Sequence, residues 1–313
     1  MSDLADYPRR YCPACDRLVD RFEPSARGRP NAKCPKCGAL ERHRFLALVL
    51  DTLRPSLGPL GTVLDIAPVP AVTRVVERLE PETHVRVDIG YDNRLVDVIG
   101  SITQIPMADS SVHLAICFHV LEHVPDDALA MRELARVLAP GGLAVVQVPW
   151  NPKAATEEDL EADEDERLRR FGQRDHVRAY GHDFEGKLVA QGLSVTRVNA
   201  RAFFGARACA WFGIAGKSNV WILSSTGAAT PPADLEPVST RLTVALDVLL
   251  GQLVKERAAA DQARERVGKL RGRVDMLRLA NKRLRASAAP RPAPLVIRAA
   301  RRGARLARRT LGR

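Results

Sequence analysis

Strand-like and helix-like segments alternate along residues 62–149 of this 313-residue chain. The runs TVLDIA, HVRVDI, VHLAICFH and LAVVQVP (143–149) are apolar and rich in β-branched residues, as buried strands are. Helical spacing separates them in AVTRVVERL and in DDALAMRELARVLAPGG (126–142), where Pro140-Gly141-Gly142 provides a stop. This order predicts an α/β fold with a mostly parallel, doubly wound, Rossmann-like sheet that has helices on both faces.

Four of the six cysteines form two CPxC pairs near the start of the chain: Cys12 with Cys15, and Cys34 with Cys37. A CxxC turn aims two thiolates at one metal ion, and two such turns at this separation complete a tetrahedral site. We therefore predict a zinc ribbon that holds one Zn²⁺ ion. Because thiolates would fill all four positions, the ion is expected to be structural rather than catalytic.

Composition divides the remainder of the chain into further regions. A helix is predicted over residues 41–54 and is expected to end at Pro55. A polar, highly charged insertion interrupts the alternation at 151–182, after which a helix (183–192) and two strands (193–199 and 218–224) follow. The predicted regions are a zinc ribbon (1–45), an α/β domain (46–226), a linker (227–238), a coiled-coil helix (239–287) and a basic tail (288–313).

Three runs of residues carry a resemblance to a known family. IPMADSSVHLAICFHVLEHVPDD leads into a helix that ends in RVLAPGG, and this run resembles the type 11 family of class I S-adenosylmethionine-dependent methyltransferases. CPKCGALERHR and FGQRDHVRAYGHDF resemble the paired signatures of a bacterial subgroup with an N-terminal CPxC zinc knuckle. The resemblance implies methyl transfer from S-adenosylmethionine. A Rossmann-like fold that has lost cofactor binding is the alternative.

The resemblance places the cofactor at the carboxyl ends of the strands, where open α/β sheets bind ligands. Asp88 stands near the end of the second strand, where an acid can accept hydrogen bonds from both ribose hydroxyls. The loop after the first strand lacks the glycines that are usual in the family, and Ser101 replaces a frequent acid. The candidate cofactor-binding residues are Asp65, Ala67, Pro68, Asp88, Ser101, Ile102 and His119.

Three residues are candidates for catalysis: His119, at the end of the predicted strand VHLAICFH, and Asp175 and His176, which lie in the insertion. A histidine oriented by an acid can serve as a general base for a hydroxyl acceptor, because its pKa lies near neutrality. Two alternatives remain open. Glu122 and His123 can simply shape the turn after the strand, and the insertion can act as a clamp through salt bridges of Asp175 with its arginines.

Charge bears on the acceptor. Residues 157–166 carry eight acids, which would repel a phosphodiester backbone beside the active site. We therefore expect methylation, at oxygen, of a small-molecule or glycan acceptor, with specific nucleic acid disfavoured. An RNA methyltransferase and a non-catalytic assembly protein are the alternative functions.

The net charge of +11 comes from the C-terminal part, because residues 241–313 hold 20 lysines and arginines but only 5 acids. A heptad seam there favours a parallel two-stranded coiled coil, although arginines beside the seam would repel each other unless the coil is antiparallel or an anionic partner binds. A lone helix packed on the body is the alternative. The seam consists of Val267, Leu270, Val274, Leu277, Asn281 and Leu284. The acid-free end, 294–313, suits an anionic membrane surface, a flexible tail or non-specific contact with nucleic acid.

The sequence has neither a membrane-spanning apolar run nor an apolar leader behind basic residues. We therefore expect a cytoplasmic protein, with the basic tail able to hold it at the inner face of the membrane.

Overall fold

The computed structural model describes residues 10–26, 28–90, 92–225 and 266–267. The chain divides into two units, Met1–Ala245 and Leu246–Arg313, and all of the sheets belong to the first. The predicted linker, basic tail and nearly all of the coiled-coil helix lie outside the described residues. None of the helices in the described part of the chain is long and apolar enough to cross a membrane.

The elements of the first unit follow one another from a small hairpin to a long α/β region. They are β1 (Arg10–Cys12), β2 (Arg17–Val19), α1 (Glu41–Leu57), β3 (Thr62–Ile66), α2 (Pro70–Glu77), β4 (Thr83–Asp88), β5 (Val98–Ile99), β6 (Val112–Phe118), α3 (Asp127–Val137), β7 (Leu138–Gln147), β8 (Glu157–Glu158), α4 (Glu164–Phe171), β9 (Arg178–Ala179), α5 (Phe184–Val189), β10 (Leu193–Asn199), α6 (Ala200–Phe212) and β11 (Asn219–Ser225). A 3₁₀ turn, Leu121–His123, joins β6 to α3.

Seven strands form the central sheet in the order β10-β11-β7-β6-β3-β4-β5. The five strands from β7 to β5 are parallel, whereas β11 runs antiparallel to both of its neighbours. Successive residues of β3 and β6, such as Val63 and Leu64, are buried although they point to opposite faces. Both faces of the sheet are therefore covered, and the predicted mostly parallel α/β sheet is confirmed.

Several boundaries differ from those expected. Helix α1 continues through Pro55 to Leu57, because a proline in the last turn removes one amide donor while buried residues such as Leu50 and Leu53 hold the helix in place. Helix α3 ends at Val137 and β7 begins at once, five residues before the predicted strand. Leu138 already pairs with Val112, and the following residues bulge before regular pairing resumes.

Candidate functional site

The carboxyl ends of β3, β4 and β6 meet at one edge of the sheet because these strands are parallel neighbours. Ala67 follows β3, Asp88 ends β4, and His119 follows β6. Ala67 and His119 both have left-handed backbone, with φ of 54° and 58°. Non-glycine residues adopt this conformation at a cost of about 1–3 kcal/mol, and such strain concentrates at functional sites.

The loop after β3 reaches its turn without glycine because Ala67 itself adopts the left-handed conformation. The amide of Ala67 donates to the carbonyl of Val87 at 2.8 Å, and neither Pro68 nor Pro70 has an amide hydrogen. The loop therefore offers few backbone donors to a cofactor. Pro70 starts α2 at a position where the missing donor costs little.

Asp88 faces this loop through a residue that the sequence did not indicate. Asn93 donates from Nδ2 to the carbonyl of Pro68 at 2.9 Å, and the same nitrogen lies 3.5 Å from Oδ2 of Asp88. Asp88 Oδ1 accepts from the amide of Ile89 at 2.7 Å. Asn93 thus ties the loop after β3 to the end of β4. An isolated polar residue in a loop gives no periodic signal from which this contact could be predicted.

Two of the predicted cofactor residues point into the protein. Asp65 is buried, with Oδ2 3.7 Å from His84 Nε2, and burial raises the pKa of its carboxyl. Ile102 packs in the core. Their side chains therefore support the edge of the sheet from within. Ser101 stays partly exposed, and its hydroxyl lies 2.7 Å from that of Thr103.

His119 is held by a buried acid. Its Nδ1 lies 3.0 Å from Oε1 of Glu122, a residue of the 3₁₀ turn whose side chain is 0% exposed. The amide of His119 donates to the carbonyl of Gln147 at 2.8 Å, which fixes the backbone as well. An imidazole held through Nδ1 by a carboxylate has Nε2 left for proton transfer. Glu122 therefore orients His119 in addition to shaping the turn.

Asp175 and His176 do not form the predicted acid–histidine pair. Asp175 Oδ2 lies 3.2 Å from Nδ1 of His123, because adjacent residues in this loop point in different directions. His176 is buried, its Nδ1 lies 3.1 Å from the carbonyl of Phe171, and burial lowers the pKa of its imidazole. The rings of His123 and His176 pack edge to face, with centroids 4.6 Å apart. The acid thus orients the other histidine.

A cavity of about 850 Å³ opens beside these side chains. His119 and His176 line one part of it, and the loop after β3 contributes Val69 and Pro70. The segment between the CPxC pairs closes another part, with residues such as Arg29 and Lys33. The cavity is therefore bounded together by the edge of the sheet where β3 and β6 end, by the insertion and by the cysteine-rich region.

Residues 52–146 match a family described as "Methyltransferase domain". This region is similar to a methyltransferase domain. A "Probable S-adenosylmethionine-dependent methyltransferase" of Mycolicibacterium smegmatis is 40% identical over 50 residues, which are 16% of this chain and 20% of that protein. A 37.1 kDa protein in transposon TN4556 of Streptomyces fradiae is 30% identical over 146 residues, 46% of this chain. The chain spans 20% and 35% of the length of these two curated relatives.

Solved structures also show similarity to the chain. A SAM-dependent methyltransferase from Archaeoglobus fulgidus is 13% identical with a TM-score of 0.41, covering 58% of this chain and 94% of that one. The YcgJ protein from Bacillus subtilis is 18% identical with a TM-score of 0.39, covering 56% and 97% of the two chains.

Arg178 clamps the insertion onto the methyltransferase domain. Its guanidinium is fully buried and donates to the carbonyls of Leu121 and Pro125, each at 2.8 Å, and to that of Val124. Nε also donates to Glu158 at 2.6 Å. These bonds fix the 3₁₀ turn that carries Glu122 and His123. A clamp is therefore present, but it is made by Arg178 and not by salt bridges of Asp175 with arginines.

Arginines of the insertion also neutralise much of its acidic run. Arg170 pairs with Glu157 at 2.8 Å and with Asp159 at 2.5 Å, and Arg174 pairs with Asp165 at 2.6 Å. The segment beside the methyltransferase domain therefore presents less uncompensated negative charge than its sequence predicts.

The four cysteines of the CPxC pairs come together. Their sulfur atoms all lie within 4.8 Å of one another, and those of Cys12 and Cys37 are 3.7 Å apart. Four sulfurs at about 2.3 Å from a tetrahedral zinc ion would be roughly 3.8 Å apart, so the cluster is compatible with zinc. The contact between these two thiols lowers the pKa of Cys37 and raises that of Cys12.

Arg44 connects the cysteine-rich region to helix α6. Its side chain is fully buried and donates to the carbonyls of Ala32 and Ala39, at 2.9 and 2.8 Å. Across the fold it donates to Phe212 at 2.7 Å and Gly213 at 2.5 Å. One guanidinium thus holds together segments that are about 170 residues apart in sequence.

Proposed function

We propose that the protein transfers the methyl group of S-adenosylmethionine to a hydroxyl oxygen of a small-molecule or glycan acceptor. The observation that carries this proposal is the pair formed by His119 and buried Glu122, beside a cavity at the edge of a methyltransferase domain. The cofactor brings the reactive methyl group. The protein positions the acceptor and supplies a base, and His119 Nε2 is the atom we assign to receive the hydroxyl proton.

Asp88 is proposed to hold the cofactor ribose, with the Ala67–Pro70 loop beside the methionine part. Both carboxylate oxygens of Asp88 sit at the correct edge of the sheet, and Asn93 steadies one of them. Loss of two charge-assisted hydrogen bonds predicts that Asp88→Ala binds S-adenosylmethionine more weakly by about 1.5–3 kcal/mol. Calorimetry on the folded variant measures this, and an unchanged dissociation constant would move the ribose elsewhere.

The cysteine cluster is proposed to hold one structural Zn²⁺ ion. Four converging sulfurs and a short segment without a sufficient core of its own support this assignment. Metal analysis after dialysis should find one zinc that is retained by the parent protein and lost in Cys34→Ser.

The test of methyl transfer is His119→Asn. Asparagine tolerates left-handed backbone better than most residues, so the variant removes the base while keeping the turn. With labelled cofactor and fractionated small molecules and glycans, transfer should fall about 10²–10⁴-fold. Cofactor affinity should stay within a few-fold of the parent. His182→Gln, at an exposed histidine, is the matched control.

An equal transfer rate in His119→Asn would remove His119 from the chemistry. Labelling of a defined RNA instead would show that the acceptor assignment is wrong, while the assignment of methyl transfer would stand. Failure of the parent protein to bind the cofactor would favour an assembly protein.

We propose that the C-terminal part attaches the protein to other surfaces or to a second copy of the chain. Its excess of lysine and arginine and its heptad seam support attachment to an anionic membrane surface and dimerisation. Binding of the full chain to vesicles that contain anionic lipid should weaken as salt is raised. Binding that does not change with salt would argue against this role.

A further inference from the structure

Three ligating side chains converge beside His119: Glu122, His123 and His176. One ligand atom from each lies within 4.8 Å of the other two. Glu122 is fully buried, and within the described part of the chain its Oε2 has no hydrogen-bond partner. Unpaired buried carboxylate oxygens are costly, so such an atom in a native fold needs an explanation. A cation at this position would provide one.

Each of the three side chains is already oriented by a second group. His176 Nδ1 lies 3.1 Å from the carbonyl of Phe171, and His123 Nδ1 lies 3.2 Å from the carboxylate of Asp175. Oε1 of Glu122 faces His119 at 3.0 Å. Metal-binding histidines usually donate their other ring nitrogen to a carbonyl or carboxylate in this way. The arrangement leaves Nε2 of both histidines and Oε2 of Glu122 as the ligand atoms.

One existing contact must change when a metal binds. The side-chain nitrogen of Gln173 lies 2.6 Å from Nε2 of His176. Gln173 lies at the cavity wall, and metal binding requires its side-chain amide to turn away from His176. The backbone around the ligands is fixed, because the amide of Val177 donates to the carbonyl of Glu122 at 3.0 Å.

We propose that Glu122, His123 and His176 bind one divalent transition-metal ion, separate from the ion of the cysteine cluster. Two imidazoles and one carboxylate suit Zn²⁺, Fe²⁺ or Co²⁺, whereas Mg²⁺ and Ca²⁺ prefer sites made of oxygen alone. Three protein ligands leave coordination positions open, unlike four cysteines. If the proposed methyl transfer holds, on which this role rests, the ion would bind the acceptor hydroxyl and make its proton easier to remove.

The experiment titrates the full chain, with zinc already in the cysteine cluster, by Co²⁺ in a calorimeter and a spectrophotometer. We expect one further equivalent of Co²⁺, with the spectrum of nitrogen and oxygen ligands and no sulfur-to-cobalt charge-transfer band. Mg²⁺ should give no binding at the same concentrations. No further equivalent, or a sulfur band on all bound cobalt, would overturn the proposal.

Variants locate the site. His123→Gln changes a half-exposed side chain and should fold, and it should weaken Co²⁺ binding at least tenfold. Asp175→Asn removes an orienting partner and should weaken it by about tenfold. His182→Gln should leave the affinity unchanged. Unchanged affinity in His123→Gln would exclude the site. Because these titrations need neither cofactor nor acceptor, a failure of methyl transfer leaves the metal result standing.

Discussion

Arg44 and Arg178 are both fully buried, but their charges are balanced differently. Arg178 combines backbone carbonyls with the carboxylates of Glu158 and Asp127. For Arg44 the hydrogen bonds go to carbonyls, and burial lowers its pKa while the charges of Cys12 and Glu41 oppose that shift. Glu41 is itself paired with Arg29 at 2.7 Å. A buried guanidinium needs a countercharge, and near Arg44 the thiolates of a metal-loaded cysteine cluster would supply it.

The two arginines lie in the two signature segments, and the sources of their countercharge differ. Four thiolates around one Zn²⁺ carry a net charge of −2, so metal binding would supply the countercharge of Arg44. Arg178 has its countercharge in the protein chain. The cysteine-rich end should therefore depend on metal for stability, and the clamp over the 3₁₀ turn should not.

The largest expected effect is that of Arg44→Met. Removing the guanidinium leaves several buried carbonyls without donors and should cost about 3–5 kcal/mol of unfolding free energy, measured by urea denaturation. Arg178→Met should cost less, because Tyr180 and Lys187 still contact Asp127. Chelation should destabilise the parent and Arg178→Met equally but Arg44→Met less. Equal chelation effects in all three proteins would show that the cysteine cluster does not balance the charge of Arg44.

The next largest effect is a pH dependence of the unfolding free energy that arises from His43, the residue before Arg44. Burial lowers the pKa of His43 to about 3, and its Nδ1 accepts from the amide of Leu40 at 3.3 Å. The folded state therefore binds fewer protons than the unfolded state, and stability is lost as pH falls below about 6.5. Between pH 7 and 5 the loss should be about 2 kcal/mol.

Urea titrations at several pH values measure this loss, and His43→Gln should flatten it. His182→Gln, an exposed histidine, should keep the parent slope. A parent stability that does not change over this range would show that His43 is not held neutral by the fold.

The smallest effect concerns the clamp and is kinetic. Arg178→Lys keeps the charge near Asp127 but loses the forked geometry that holds three carbonyls of one turn. Because that turn carries Glu122, which orients His119, transfer should slow by about tenfold, the scale seen when orienting partners are removed. Cofactor affinity should be unchanged. A loss in cofactor affinity without a loss in transfer rate would mean that Arg178 supports the proposed cofactor-binding loops and not His119.

Sequence patterns predicted the sheet well and side-chain pairing poorly. The strand at 193–199 has the predicted bounds, because alternation and turn residues are local signals. The sequence does not predict helix α6, because Phe203, Phe204, Trp211 and Phe212 are buried on several sides and leave no amphipathic period.

The site shows the same limit. The order of strands and helices predicts that the site follows β6. The pairing of Asp175 with His123 depends instead on a loop that brings together residues 52 positions apart. The bonds of Arg44 to Phe212 and Gly213 join residues 168 and 169 positions apart. The spacing of residues in a sequence predicts contacts within one or two turns of a helix or within one hairpin. Neither of these contacts joins residues that are so close in sequence.

The cavity beside His119 has a wall made by the segment between the two CPxC pairs. Under the proposed function, the residues of this wall and those assigned to the transfer step are encoded in separate stretches of the gene. Changes in the short loop around Arg29 and Lys33 can alter which molecule fits while His119 and Glu122 stay untouched. Exchanging that loop between relatives would then change the acceptor preference without changing His119 and Glu122.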